Sequence, residues 1–439
     1  MTTIQRLFLF YSIFLFGTLA AATDFQVDKK ITLSELVNIA LENNPTTRQA
    51  WWNARRAAAA LGSAKSTYYP QIDLDANVSN GRTFKFINGP DTNYTIVGAD
   101  IILTMLLYDF GERNASVDMA KNALLAANWQ TDWTLQKVMI RVLENAYALA
   151  HAQEVYGAAL VSKEDAEKVL ITARELNRTG LTPISDVYTT QATFSQMKME
   201  ATQQKALVDI QKAKLMASIG LSAETQLELA SFDPMPAPKQ PQITELINLA
   251  YKQRADLLVK QARVAESLSK LNKAKAGYYP KVSFSGAGGA NHAFHDRADA
   301  MQYQVMLNVD IPLFHGFETM YQNQIAYAET QLSIEDMNDL QLNISLDVLT
   351  YSKSLEAAQE MLPDADDNLQ NAMKAYDSVL ERYKVGKEGI DEVSNALRHL
   401  ATARVRYSDV KTRWLVSLAN LAYATGTLVG HPYTEKSCE

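Results

Sequence analysis

One seven-residue stretch occurs twice. Residues 64–70 read AKSTYYP and residues 274–280 read AKAGYYP, so Lys65, Tyr68, Tyr69 and Pro70 return as Lys275, Tyr278, Tyr279 and Pro280, 210 positions later. The likeness extends well past the motif. Upstream, Glu35, Leu36, Asn38 and Ala40 pair with Glu245, Leu246, Asn248 and Ala250 at the same offset. Downstream, Tyr108, Gly180 and Gly220 pair with Phe314, Gly386 and Gly426 at an offset of 206. A chain duplicated over this span folds as two quasi-equivalent units, each repeating one supersecondary pattern. The change of offset places an insertion between Pro70 and Tyr108, where Gly81, Asn88, Gly89 and Pro90 mark a loop that tolerates extra residues.

Within each unit the hydrophobic period changes at the Tyr-Tyr-Pro. From Thr32 to Thr67 the spacing is helical, with Leu33, Leu36, Val37 and Ala40 on one stripe and an alanine-rich stretch at Ala57 to Leu61. Pro70 ends the helix. The period then becomes two: Ile72, Leu74, Ala76 and Val78 alternate with Gln71, Asp73, Asp75 and Asn77. A second strand runs from about Thr95 to Leu107, with Val97, Ala99, Ile101, Leu103 and Met105 on one side. In the second unit Val282 and Phe284 alternate with polar residues before a glycine run. Met301, Tyr303, Val305, Leu307, Val309 and Ile311 then share one face of the clearest strand.

Strands of this length with one apolar and one polar face match the staves of a membrane barrel. Four staves cannot close one, and an open edge in lipid leaves backbone groups unpaired, so the reading requires oligomerisation, as a dimer with eight strands or a trimer with twelve. A sheet packed on a soluble core is the competing reading of the strands alone.

Long helical tracts follow each strand pair. No proline interrupts Phe110 to Asn177, a length that spans roughly 100 Å as one helix. Leu135, Val138, Val142, Leu149, Tyr156 and Leu160 sit near heptad positions, as do Leu369, Ala372, Tyr376, Val379 and Tyr383, which predicts coiled-coil seams. The segments 177–183 (NRTGLTP) and 384–389 (KVGKEG) interrupt the tracts at equivalent places and read as helix-hairpin tips.

The organisation is therefore a leader at 1–22, a first repeat at 23–230 (β-hairpin 71–107, helical hairpin 110–220), a proline-rich linker at 231–242, a second repeat at 243–426 (β-hairpin 281–313, helical hairpin 316–426) and a short tail at 427–439. The leader reading rests on Arg6, the apolar run Leu7 to Leu19, and Ala20 to Ala22. The fold class is mainly α with a membrane β part.

Several function classes are disfavoured. The net charge of −7 supplies no basic footprint for nucleic acid, and the one cysteine, Cys438, excludes an intrachain disulfide framework. His292 and His295 stand three apart without further Cys or His nearby to complete a metal site. No phosphate-binding glycine loop or nucleophile elbow is present, so neither an enzyme nor a cofactor is expected.

The arrangement resembles the TolC-like outer-membrane efflux protein family over nearly the whole mature chain, on the paired YYP motifs, on LLYDFG at Leu106 to Gly111 and on PLFHGF at Pro312 to Phe317. The resemblance implies a homotrimer in the cell outer membrane. Its twelve strands would form one β-barrel, continued by a twelve-helix periplasmic α-barrel. It would act as a passive exit duct of a tripartite efflux pump or type I secretion system, with an inner-membrane transporter and a periplasmic adaptor as partners. The alternative from another class is a soluble periplasmic coiled-coil scaffold or adaptor.

By position the resemblance implies adaptor-docking tips at Thr179, Gly180, Leu181 and Thr182 and at Val385 and Gly386. It implies a periplasmic gate in which Tyr383 faces Ser185 and Asp186, while Glu392 and Asn395 occupy ring positions beside Asp391. Glu388 stands where the family pattern carries arginine. A charge-assisted link to Asp186 is then absent, repulsion can replace it, and the expectation is a loosely latched gate with a negative mouth. Read without the resemblance, the tips are ordinary helix turns and the two carboxylates are helix-start dipole partners.

Overall fold

The computed structural model describes residues 31–83, 92–225, 229–230, 242–294 and 298–428. The leader, nearly all of the proline-rich linker, most of the tail, His295 and the Asn88 to Pro90 loop lie outside the described residues.

The duplication is visible in the element lengths. Helices α1 (Leu33–Asn43) and α2 (Pro45–Ser66) precede strands β1 (Gln71–Thr83) and β2 (Thr92–Tyr108) and helices α3 (Glu112–Arg178) and α4 (Ile184–Ser218). The second unit repeats them as α5 (Ile243–Gln253), α6 (Ala255–Ala276), β3 (Lys281–Ala293), β4 (Ala298–Asp310), α7 (Glu318–Lys384) and α8 (Ile390–Ala424). Both α3 and α7 have 67 residues, and both α4 and α8 have 35. The offset changes from 210 to 206 between the paired strand ends Thr83 and Thr92, because the first hairpin connection is longer than the second.

The four strands form one antiparallel sheet in the order β1-β2-β3-β4. Registers Ile72↔Leu103, Leu103↔Gly286 and Gly286↔Val305 put all four predicted apolar stripes on one face. That face is bare: Leu74, Val78, Ile101, Met301, Tyr303 and Leu307 are all exposed. The glycine run does not end β3, which continues through Gly286, Gly288 and Gly289 to Ala293 because β2 and β4 pair with it on both sides. Both outer edges, on β1 and β4, carry no strand partner among the described residues.

Each passage from strand to long helix uses two consecutive left-handed residues, Phe110 and Gly111 (φ 53 and 97) in the first unit and Gly316 and Phe317 (φ 62 and 68) in the second. Asp109 caps the first passage, its carboxylate accepting from the Gly111 and Arg113 backbone amides at 3.3 and 2.7 Å.

Two quasi-equivalent cores sit where the short helices dock on the long ones. In the first, Leu36 and Ala40 of α1 pack with Val138, Val142 and Leu149 of α3 and Leu215 and Met216 of α4. In the second, Leu246 and Ala250 pack with Ile344, Val348 and Leu355 of α7 and Trp414 and Leu421 of α8. Burying each Leu, Ile, Val or Met side chain among them stabilises the fold by about 1.5–3 kcal/mol. The seam on α3 differs from the heptad reading beyond Leu149: Ala152 and Val155 are buried, and Leu160 is exposed. A helix of 3.6 residues per turn drifts away from a strict seven-residue count, so the buried stripe rotates.

A third cluster lies near the tips. It joins the two hairpins, with Ala166, Val169 and Ala173 of α3 against Tyr376, Tyr383, Leu397 and Leu400 of α7 and α8. Across the lower body the helices stand in the order α4, α3, α8, α7. No described helix is long and apolar enough to cross a membrane.

Candidate functional site

The two tips are built alike. At the end of α3, Gly180 is left-handed (φ 79) and donates to Asn177 O at 3.0 Å, while Leu181 N reaches back to Leu176 O at 2.9 Å. At the end of α7, Gly386 (φ 71) donates to Tyr383 O at 3.0 Å and Lys387 N to Arg382 O at 2.9 Å. This paired closure satisfies the last carbonyls of each helix and requires a residue without a Cβ penalty at positive φ. The turns thrust Leu181 and Val385 outward, 70% and 66% exposed. Thr179 lies exposed beside them, and Thr182 is partly buried, its carbonyl accepting from Asn177 Nδ2 at 2.8 Å.

Between the tips, Tyr383 is 1% exposed. Its phenol is pushed up, first by burial and then by the negative charge of Asp186. Thr182 is the other polar neighbour acting on that proton, yet Tyr383 Oη and Thr182 Oγ1 are both buried without a partner at hydrogen-bonding geometry. Tyr383 thus faces Asp186. Ser185 does not join it; it is exposed and its Oγ approaches only Asp186 Oδ1, at 3.5 Å.

Glu388 pairs with Arg382 of its own hairpin at 2.9 Å. Glu388 cannot supply a charge-assisted link to Asp186, and the expected repulsion is relieved, because the Glu388 charge is met locally by a guanidinium. Asp391 and Glu392 stand exposed in the first turn of α8, where carboxylates complement the helix dipole. Glu392 and Asn395 line a groove of about 800 Å³ between α7 and α8 with Asn368, Asn371 and His399. Asp391 lies beside that groove and does not line it.

Sequence reasoning missed the polar contacts that join the hairpins above the tips. Arg404 of α8 donates to Asp165 Oδ2 at 3.1 Å and to Ser162 Oγ at 3.0 Å, both on α3. Higher up, Ser408 Oγ donates to Glu154 at 2.8 Å, Lys411 Nζ meets the same carboxylate at 2.8 Å, and His151 Nδ1 lies 2.9 Å from Ser408 Oγ. The available signal was Ser162 and Asp165, polar residues inside an otherwise apolar seam. His292 pairs with Asp299 at 2.6 Å, and no group of three or more potential ligands capable of holding a metal occurs among the described residues.

An open sheet with a bare apolar face, continued by helical hairpins some 100 Å long and tipped by paired glycine turns, is the combination that the family comparison tests. The model of the outer membrane efflux protein family matches residues 36–221 and 246–427, one match for each repeat. The chain belongs to the outer membrane efflux protein family. It is an outer-membrane efflux channel with a periplasmic helical part, and conducts rather than catalyses. Protein CyaE of Bordetella pertussis is 26% identical over 402 residues, covering 89% of this chain and 83% of that one. Outer membrane protein TolC of Vibrio cholerae is 24% identical over 424 residues, covering 94% and 93%. The Campylobacter jejuni CmeC outer membrane channel superposes with a TM-score of 0.82 at 16% identity, covering 94% of this chain and 92% of that one, a likeness of fold.

Proposed function

We propose that three copies of this efflux channel assemble into one twelve-stranded barrel and one twelve-helix tunnel. The assembly serves as the passive exit duct of a tripartite pump or type I secretion system, with the inner-membrane transporter choosing the cargo. The observation that carries the reading is the four-stranded sheet with an exposed apolar face and two strandless edges, which lipid tolerates only in a closed barrel.

The internal duplication supports it residue by residue. Helix α6 lies along α3, where Ala262 and Ser269 are buried; the quasi-equivalent Trp52 and Ala59 of α2 are exposed. On α3, Ala126, Gln136 and Ile140 are buried, while the quasi-equivalent Leu332, Leu342 and Leu346 of α7 are exposed. A second copy laying its α2 on this α7 covers both stripes as α6 and α3 cover theirs.

In the assembly Thr179 to Thr182, Val385 and Gly386 form the adaptor-docking tips. Ser185, Asp186, Tyr383 and Glu388 form the gate, and Asp391, Glu392 and Asn395 bring a ring of carboxylates and amides to the entrance. Like charges gathered around an axis favour cation passage. A soluble scaffold leaves the apolar sheet face without a role. Purified protein in planar lipid bilayers tests the duct: discrete K⁺ conductance steps are expected, and protein that inserts without conducting contradicts the reading.

A further inference from the structure

We propose that copies of this chain recognise one another by charge: the basic face of α2 seats on the acidic, sheet-proximal part of α7 in the next copy. This selects head-to-tail rings over copies joined like face to like face. The inference rests on the three-copy reading and adds what steers it. The charges are segregated in the sequence. Arg48, Arg55, Arg56 and Lys65 are the only charged residues of α2. From Glu318 to Ser352 of α7, Glu318, Glu329, Glu335, Asp336, Asp339 and Asp347 are the only charged residues, all acidic.

The covered seam inside the copy supplies the register of the uncovered one. Asn122 Nδ2 of α3 donates to Ser269 Oγ of α6 at 3.2 Å. The quasi-equivalent residues, 206 positions on and 210 back, are Ala328 of α7 and Ala59 of α2, both exposed in the single chain. Across the seam between copies these two meet. Helix α2 runs toward the sheet and α7 away from it, so seven residues back along α2 match seven on along α7, about 10.5 Å. Trp52 then comes level with Glu335 and Arg48 with Asp339, while Arg55 stands level with Leu332, within one turn of Glu335. Positions 48, 52, 55 and 59 share one face of α2, and 328, 332, 335 and 339 share one face of α7.

The inner seam carries no such charges at these positions: Arg48 and Arg55 become Leu258 and Ala265, and Glu335 and Asp339 become Trp129 and Trp133. Arg48, Arg55, Glu335 and Asp339 are all exposed in the single chain. Glu329 and Asp336 are met inside the copy by Lys270 and Lys260 of α6, at 2.5 and 2.9 Å. Glu335 and Asp339 accept only from the amides of Asn338 and Asn343, at 3.2 and 3.1 Å, which leave their charge uncancelled. Arg55 is braced with its guanidinium 4.5 Å from the centre of the exposed Trp51 ring, beside exposed Trp52, the aromatic and arginine composition of an interface anchor. Opposite charges along a rim add little affinity, but they speed encounter and penalise wrong partners. Two α2 faces, or two α7 faces, gather like charges, whereas a ring sets every basic edge on an acidic one.

The test is a charge exchange in the full chain: Arg48→Glu with Arg55→Glu, Glu335→Arg with Asp339→Arg, and all four together. Each variant is extracted in mild detergent at low ionic strength and its assembled fraction read by native mass, with circular dichroism for helix content. Either reversal alone should cut the assembled fraction at least about fivefold at parental helix content, and the four-residue exchange should restore it to within about twofold of the parent. The neutral pair Arg48→Gln with Arg55→Gln, which removes attraction without adding repulsion, should fall between parent and reversal. Co-expressed with tagged parent chains, the exchanged chain should be absent from the tag-purified oligomer. Both reversals assembling like the parent, no recovery in the exchange, or free mixing of exchanged and parent chains overturns the proposal. A parent that is itself a single chain in detergent overturns the three-copy reading, and the inference with it.

Discussion

Arg404 and Asp165 are 239 residues apart in sequence and 3.1 Å apart in space, side chains 16% and 11% exposed, bridging the two helical hairpins of one chain. The pair is flanked by Ser162 and Lys168 and lies against the hairpin-to-hairpin core. Removing one partner leaves the other desolvated and unpaired. Asp165→Ala should destabilise the fold by about 3–5 kcal/mol, whereas replacing both residues by apolar side chains of similar volume should cost far less. Thermal unfolding of the two variants checks this, and equal losses from the single and the double variant would contradict it.

Gly220 and Gly426 end the return helices at φ 81 and 75, and a Cβ on either would meet backbone atoms of the α1–α2 or α5–α6 corner at 2.7–3.0 Å. Gly180, at φ 79, has open space around it. Gly180→Ala should therefore cost only the left-handed penalty of about 1–2 kcal/mol. Gly220→Ala and Gly426→Ala add a collision with rigid backbone and should lower the unfolding temperature several times further. Equal shifts at all three glycines would contradict the close approach.

The Tyr383 hydroxyl is buried without a hydrogen-bond partner. Deleting it in Tyr383→Phe should leave stability unchanged or raise it by about 1 kcal/mol, since an unsatisfied polar group is removed. Tyr383→Ala should lose about 3–5 kcal/mol of packing. A marked loss in Tyr383→Phe would show that the phenol forms a latch bond.

Burial raises the phenols of Tyr376 and Tyr383, the former with help from the negative charges of Asp165 and Asp377 and the latter from Asp186. A group held above its unfolded pKa contributes stability below that value and loses it as pH rises toward the folded one. Stability should thus fall above about pH 10, with a slope of about 1.4 kcal/mol per pH unit for each such tyrosine. Tyr376→Phe should flatten the alkaline limb of a stability profile, and an unchanged limb would contradict the shift.

Trp52 stands 61% exposed on α2, at the position where its quasi-equivalent Ala262 is buried. Trp52→Asp should release single chains from the detergent-extracted oligomer while leaving the helical signal intact, because the proposed three-copy assembly sets the residue against a neighbouring copy. An oligomer of unchanged mass would contradict the quasi-equivalent interface.

Much of this was legible in the sequence because the information was local or repeated. The YYP motifs, the period-two stripes from Ile72 and Met301, and Gly180 and Gly386 fixed the element order without any contact being known. The change of offset located the long hairpin connection before the strands were seen. What escaped was chemistry carried by pairs distant in the chain. Glu388 reads as a repulsive substitution until Arg382, six residues away across the tip, is seen to fold onto it. Ser162 and Asp165 interrupt an apolar seam, but nothing local points from them to Arg404, and only packing brings the three together. Ser185 stands one residue along the helix from Asp186, a step that rotates a side chain by about 100° and leaves it exposed beside Asp186 and not between Asp186 and Tyr383.

The most direct measurement is the native mass of the mature protein extracted from outer membranes in mild detergent, with bound detergent subtracted. Three chains per particle is the predicted result, giving twelve strands and two closed edges for every sheet. A single chain, stable without detergent, would contradict the shared barrel and with it the quasi-equivalent interface between α2 and α7.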